Sequence, residues 1–167
     1  MSEGSEPQAV AALREQVLAY LAAHNTVSLA TVADGQPWAA TVFYVNIGTD
    51  LYFLSEPKTR HCQNILANGR VAATINEDYR DWQEIKGIQL EGRAEEVTDK
   101  LELARALAAY LRKYPFVRQF LSPGGLLEGV RIAGKTFDIR LWRLRPERLY
   151  YLDNARGFSQ RQELPLP

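Results

Sequence analysis

Cysteine and histidine are nearly missing from this 167-residue sequence, which has Cys62 alone and only His24 and His61. A single thiol excludes an internal disulfide and a Cys-rich zinc site, and two imidazoles cannot build a His-rich metal centre. No metal is therefore expected. Net charge is missing too. Twenty Lys plus Arg balance twenty Asp plus Glu, which argues against a dedicated nucleic-acid surface, whose affinity comes largely from excess cations. A local basic site for a small anion stays open. No apolar run nears the ~20 residues of a membrane span, and residues 1–7 are acidic where a secretory signal would be basic. The expectation is a cytoplasmic protein. What is present is ordinary: 46% hydrophobic and 24% charged residues exclude wholesale disorder. The length suits one domain that removes roughly 70% of its unfolded surface from water.

Residues 1–7 read as a flexible tail before a single domain over 8–167. Val10, Leu13, Val17 and Leu21 repeat at helical spacing to about Ala23, with Ser5 as candidate N-cap and Gln8 at the capping-box position. From Thr26 the texture becomes strand-like: 27–32, then 37–45 after the Asp34-Gly35 hairpin signal, then 51–55. Such short connections join only antiparallel neighbours. Residues 58–68 are helical in character, with Thr59 at the N-cap or first turn, and 71–75 is a fourth strand. Between 85 and 97, Ile88, Leu90, Gly92 and Ala94 alternate with polar residues, as in a half-exposed strand. Asp99 caps a helix to Lys113, with Leu101, Ala104, Leu107, Ala108 and Leu111 on one side. Residues 122–135, rich in glycine, read as loop; 137–144 and 148–152 close the chain as strand interrupted at Pro146. Six or so antiparallel strands with inserted helices imply a mainly β fold, a closed or nearly closed barrel without exposed edges.

The most informative stretch runs from Ser55 to Asn64. A strand ends in a hydroxyl, turns at Pro57 and enters a helix whose first turn carries Lys58, Thr59, Arg60 and His61. Free amides and the dipole at a helix start favour an anion. Arg60 can grip phosphate oxygens bidentately, Lys58 adds a point charge, and Ser55 and Thr59 offer hydroxyls. A solvated basic helix start is the alternative. Cys62 beside His61 is a poor Cys–His pair, because neighbours in a helix diverge, and it reads better as packing. The strand Ala39–Tyr44, with Leu54-Ser55 opposite, could edge a flat heteroaromatic ring; Trp38, Phe43 and Tyr44 could equally be core.

In their order these segments resemble a family. Leu29-Ala-Thr-Val32, Asp34-Gly35-Gln36-Pro37, Val42-Phe-Tyr44, Leu51-Tyr-Phe-Leu-Ser55, Lys58-Thr-Arg-His61 with Asn64, Arg70-Val-Ala72 and Gly87-Ile-Gln-Leu-Glu-Gly92 are similar to the pyridoxamine 5′-phosphate oxidase-like FMN-binding split barrels. The tail Leu152–Phe158 looks like a poorly characterised bacterial subgroup of them. The resemblance implies a six-stranded antiparallel split β-barrel, and a homodimer with one FMN per subunit at the interface. It implies that Ser55, Thr59, Arg60 and His61, aided by Lys58, hold the phosphate. Thr41, Val42, Phe43 and Tyr44 would line the ring strand beside Leu54, and Lys86 to Gln89 would approach from the partner subunit. It departs from vitamin B6 oxidases where His61 replaces Lys, where Gly87 replaces Gln, and in a C-terminus without their basic, aromatic segment. The activity implied is an FMN-dependent oxidoreductase acting on an unidentified small molecule. The alternative is a non-catalytic flavin or deazaflavin carrier or sensor.

Overall fold

The computed structural model describes residues 5–122, 125–132, 134–158 and 160–167. Helix α1 (Ser5–Ala23) begins at Ser5, so the end of the expected tail is helical, and residues 1–4 lie outside the described residues. Leu13, Val17 and Leu21 are buried as the periodicity requires, with Tyr20 beside them. Strands β1 (Thr26–Ala33) and β2 (Gln36–Ile47) form the expected hairpin, with Asp34 at φ 51° and Gly35 at φ 73°. Two consecutive positive φ values are what an Asp-Gly turn supplies. Then follow β3 (Asp50–Ser55), α2 (Arg60–Ala67), β4 (Arg70–Asn76), β5 (Lys86–Glu96) and α3 (Lys100–Lys113). The rest comprises β6 (Leu121–Ser122), β7 (Gly125–Ile132), β8 (Lys135–Phe137), β9 (Arg140–Asp153) and β10 (Arg161–Glu163).

The strand order β9-β3-β2-β1-β4-β5, with β5 pairing back to β9, closes a six-stranded antiparallel barrel, and β10 extends it beyond β9. Alternation decides which residues face inward. Val27, Leu29, Val71, Ala73, Ile75, Ile88, Leu90 and Ala94 fill the interior with Phe53, Trp142 and Leu144. Burying a side chain of this size contributes ~1.5–3 kcal/mol. A second cluster lies between α3 and the outer side of β2 and β3, around Val45, Tyr52, Ala106, Tyr110 and Tyr114.

Three local expectations need correction. The buried face of α3 is not the Leu101 stripe, since Leu101 is 82% exposed and Ala104 and Ala108 are exposed as well. The helix turns Ala106 and Tyr110 inward instead, because tyrosine buries a ring and still satisfies its hydroxyl. Tyr110 donates to Phe43 O at 3.4 Å, and Tyr114, just past the helix, donates to Tyr44 O at 2.6 Å. Residues 125–132, expected as loop, are strand. β6, β7 and β8 make a second small sheet, with Val130 opposite Phe137 and Ile132 opposite Lys135. Its β-branched residues outweigh its glycines; Gly124, with residues 123 and 133, lies outside the described residues. Finally, β9 runs unbroken through Pro146.

A bulge absorbs that proline. Glu91 pairs with Arg148 but Gly92 pairs with Pro146, leaving Glu147 as the extra residue. On the other side, pairing to β3 covers only Arg140–Leu144, so the missing N–H of Pro146 deprives no ladder bond there. A Cβ on residue 92 would sit 2.1 Å from Arg145 O and 2.8 Å from Pro146 Cα. Gly92→Ala is therefore expected to destabilise the barrel by about 3 kcal/mol or more, lowering Tm by ~10 °C. Gly48→Asn, at φ +60° in open space, is the near-neutral control in the same thermal unfolding series.

Candidate functional site

β2 pairs with β3 only from Tyr44 onward, where Tyr44 meets Phe53. Residues 36–43 of β2 pair with β1 alone, so the barrel is split there, and α2 packs against β1 and β2 at this end. β3 ends at Ser55, and the chain turns through Glu56-Pro57 into α2. Thr59 has the extended backbone of an N-cap, but its side chain caps no helix amide; the hydroxyl donates to Glu56 O at 2.8 Å. The first intrahelical bond runs from Gln63 N–H to Thr59 O at 2.9 Å. The amides of Arg60 and His61 precede it, on residues that are not buried, and have no intrahelical partner.

Over this helix start three side chains converge. Ser55 Oγ lies 2.8 Å from His61 Nε2 and 3.2 Å from Thr59 Oγ1, and Thr59 Oγ1 lies 3.2 Å from His61 Nε2. Burial pushes the His61 imidazole down from its ordinary 6.5, favouring the neutral ring. The basic character read from the sequence is partly offset. Lys58, whose side chain is 75% exposed, pairs with Glu56 at 3.0 Å. Arg60 instead lies over the Trp38 ring at 4.4 Å, and no carboxylate pairs with it among the described residues. Hydroxyls, a neutral imidazole, free amides and one guanidinium make a site suited to a phosphate group. Cys62 is fully buried, and burial pushes its thiol up despite hydrogen bonds with Thr59 and Ser55, so it packs rather than reacts.

The ring-strand residues divide by alternation. Thr41 and Phe43 point outward: Thr41 Oγ1 is 3.1 Å from Ser28 Oγ, and Phe43 is 48% exposed beside Tyr114 and Phe116. Val42 is half-buried against the barrel core and Leu54 against the second cluster. Tyr44 is inside. Its hydroxyl donates to Leu21 O at 2.7 Å, its N–H to Asn25 O at 3.0 Å, and the Lys113 ammonium sits 4.5 Å over its ring. All of its polar groups serve the fold, so Tyr44 is not placed to touch a ligand.

Lys86 and Gln89 are remote from the helix start. Ser55 pairs with Arg140 at one end of β9 and Lys86 with Asp153 at the other, roughly 40 Å apart along the strand. Gln89 faces outward and accepts from Arg161 Nη1 at 3.2 Å; Lys86 Nζ stands 4.0 Å from Asp153 Oδ2. Lys86 also borders a cleft of about 920 Å³ with Tyr20, His24, Glu77 and Tyr79, a grouping that sequence reasoning missed. His24 uses both ring nitrogens there, 2.7 Å from Tyr20 O and 2.7 Å from Glu77 Oε1. No periodicity joins residues 20, 24, 77 and 79; only the docking of α1 beside the end of β4 does. Trp38 beside Arg60 was missed for the same reason.

The fold and the site define a split barrel with an anion-receptive helix start beside the split. Residues 13–153 match the family described as pyridoxamine 5′-phosphate oxidase, and the chain belongs to that family. Among curated relatives, UPF0306 protein YhbP of Salmonella paratyphi A is 28% identical over 146 residues, covering 85% of this chain and 86% of its own. A UPF0306 protein of Citrobacter koseri is 28% identical over 144 residues, with the same coverage, so the chain sits near a poorly characterised group. Solved structures share the fold. A heme-binding protein of Mycobacterium smegmatis has TM-score 0.68 at 24% identity over 92% of this chain, which spans 57% of that longer chain. HutZ, the heme storage protein of Vibrio cholerae, has TM-score 0.64 at 22% identity, covering 82% of this chain and 92% of its own.

The buried imidazole makes a testable statement. Because His61 titrates below 6.5 in the folded chain, the unfolded chain binds the proton first as pH falls. Its contribution to stability is complete above 6.5 and is lost as pH drops toward the folded value. Denaturant titrations are expected to show His61→Asn losing less stability than wild type between about pH 7 and 5. An NMR titration should place the His61 midpoint below 6.5.

Proposed function

We propose that the chain binds FMN, with its phosphate over the start of α2, and acts as an oxidoreductase on a small molecule. The observation that carries this reading is the convergence of Ser55, Thr59 and His61 within 3.2 Å of one another above unbonded helix amides, with Arg60 alongside. When bound, FMN supplies the redox chemistry; the chain grips, orients and shields it. Ser55 and the free amides donate to phosphate oxygens while Thr59, its proton given to Glu56 O, braces Ser55 and His61; Arg60 adds a guanidinium fork, and Thr41 and Phe43 present the outer face of β2.

A homodimer with FMN at the interface completes the reading. Two cross-strand rows of small side chains lie on the exposed outer face: Thr41, Ser28 and Thr74, then Ala39, Ala30 and Ala72. The first row continues to Gln89 on β5. Small residues keep this face flat, so a second copy can approach closely. A two-fold axis through it sets the Gln89 end of one copy against the Thr41 end of the other.

Heme fits this chain less well. Both nitrogens of His24 are engaged, His61 Nε2 is bonded to the Ser55 hydroxyl at 2.8 Å, and Cys62 is fully buried. Iron ligation by either imidazole would have to displace those hydrogen bonds, and the Cys62 sulfur is shut off from a ligand by burial.

Titration of the purified protein with FMN, followed by absorption and flavin fluorescence, tests the reading. Saturable binding is expected, with Ser55→Ala about tenfold weaker. A protein that stays colourless and shows no FMN affinity overturns it. Since phosphate dianion favours imidazolium, binding near pH 6 should take up a proton at His61, seen as buffer-dependent heat in calorimetry. Oxidation of NADH or NADPH by the FMN-loaded protein separates an oxidoreductase from a carrier. Preference for a deazaflavin over FMN would change the cofactor and keep the site.

A further inference from the structure

Trp38 and Arg60 come from different elements, yet the guanidinium carbon lies 4.4 Å from the centre of the indole. The arrangement is tied down by a buried polar chain. Asn64 on α2 donates to Thr31 Oγ1 at 3.0 Å, and the Thr31 hydroxyl donates to Trp38 O at 3.4 Å. Asn64 is 7% exposed and Thr31 2% exposed, so both bonds form away from water, where an unmade bond is costly. The helix that carries Arg60 is thus held in register with the strand position that carries Trp38.

The kind of partner matters. A carboxylate takes up the N–H edge of a guanidinium, as Glu56 takes up the ammonium of Lys58 at 3.0 Å. An aromatic ring takes up only the face, because every donor lies in the guanidinium plane. We propose that Trp38 is a positioning residue: it holds the plane of Arg60 beside the Ser55–Thr59–His61 cluster with the donor edge free, and so sets the affinity for a phosphate monoester. This rests on the FMN reading above. A free arginine side chain loses rotamer freedom when it closes on an anion, and binding is weakened by that loss. Contact with the Trp38 ring orders the side chain in advance.

The experiment compares FMN with riboflavin, which lacks the phosphate, by fluorescence titration of wild type and variants. Trp38→Leu is expected to weaken FMN binding about five- to tenfold and to leave riboflavin unchanged, while Trp38→Phe restores most of the loss. Arg60→Lys keeps the charge and leaves Trp38 in place but lacks the planar fork. It should weaken FMN to a similar degree, and adding Trp38→Leu to it should change nothing further. Wild type that prefers FMN to riboflavin while Trp38→Leu binds FMN normally overturns this inference alone. Equal weakening of both flavins by Trp38→Leu overturns it too, since Trp38 would then act on the ring. A wild type with no preference for FMN overturns the phosphate reading and this inference together.

Discussion

Everything in this molecule hangs on β9 pairing along both edges. It bonds to β3 through its first residues and to β5 along its length, and without that double pairing the strand order would end in two open edges. Backbone groups in a barrel wall find partners only by closure. The register that closes the barrel also distributes its functional surfaces: the start of α2 belongs to the Arg140 end and Lys86 to the Asp153 end. The bulge opposite Gly92 lets one strand serve both neighbours despite Pro146.

The sequence was most legible where one physical cause acts alone. The Asp34-Gly35 turn, the alternation of β5 and the α1 stripe follow from local backbone preference or a single burial period, and each is present in the structure. It was least legible where a polar group decides burial. In α3 a count of aliphatic residues selects the Leu101 face, but Tyr110 and, just past the helix, Tyr114 reach the backbone carbonyls of Phe43 and Tyr44. At β7 and β8 the glycines suggested a loop, yet strand pairing depends on partners that propensity does not see. Within the candidate site, the cluster at Ser55, Thr59 and His61 was readable because it is nearly contiguous. The outward turn of Thr41 and Phe43 and the inward turn of Tyr44 depend on which side of β2 faces the core. The stacking of Arg60 on Trp38 depends on two elements that meet only after folding.

The electrostatics of the helix start are milder than four consecutive polar and basic residues suggest. Lys58 is neutralised by Glu56, His61 is held neutral by burial, and the guanidinium of Arg60 rests on an aromatic face. Cations at a helix N-terminus oppose its dipole, and each of these arrangements lessens that opposition. What remains is dominated by hydrogen-bond donors, which select the shape and hydration of an anion more than its charge alone.

The parting of β2 from β3 beyond Tyr44 and Phe53 bears on how such a protein can change over evolutionary time. Since no ladder bond between those two strands crosses the gap, side chains bordering it can be exchanged without shifting the register of a paired strand. A side chain beside the split, such as His61, can be exchanged while the same barrel is retained. The split works as a seam along which ligand preference can drift while the closed half preserves the inherited architecture.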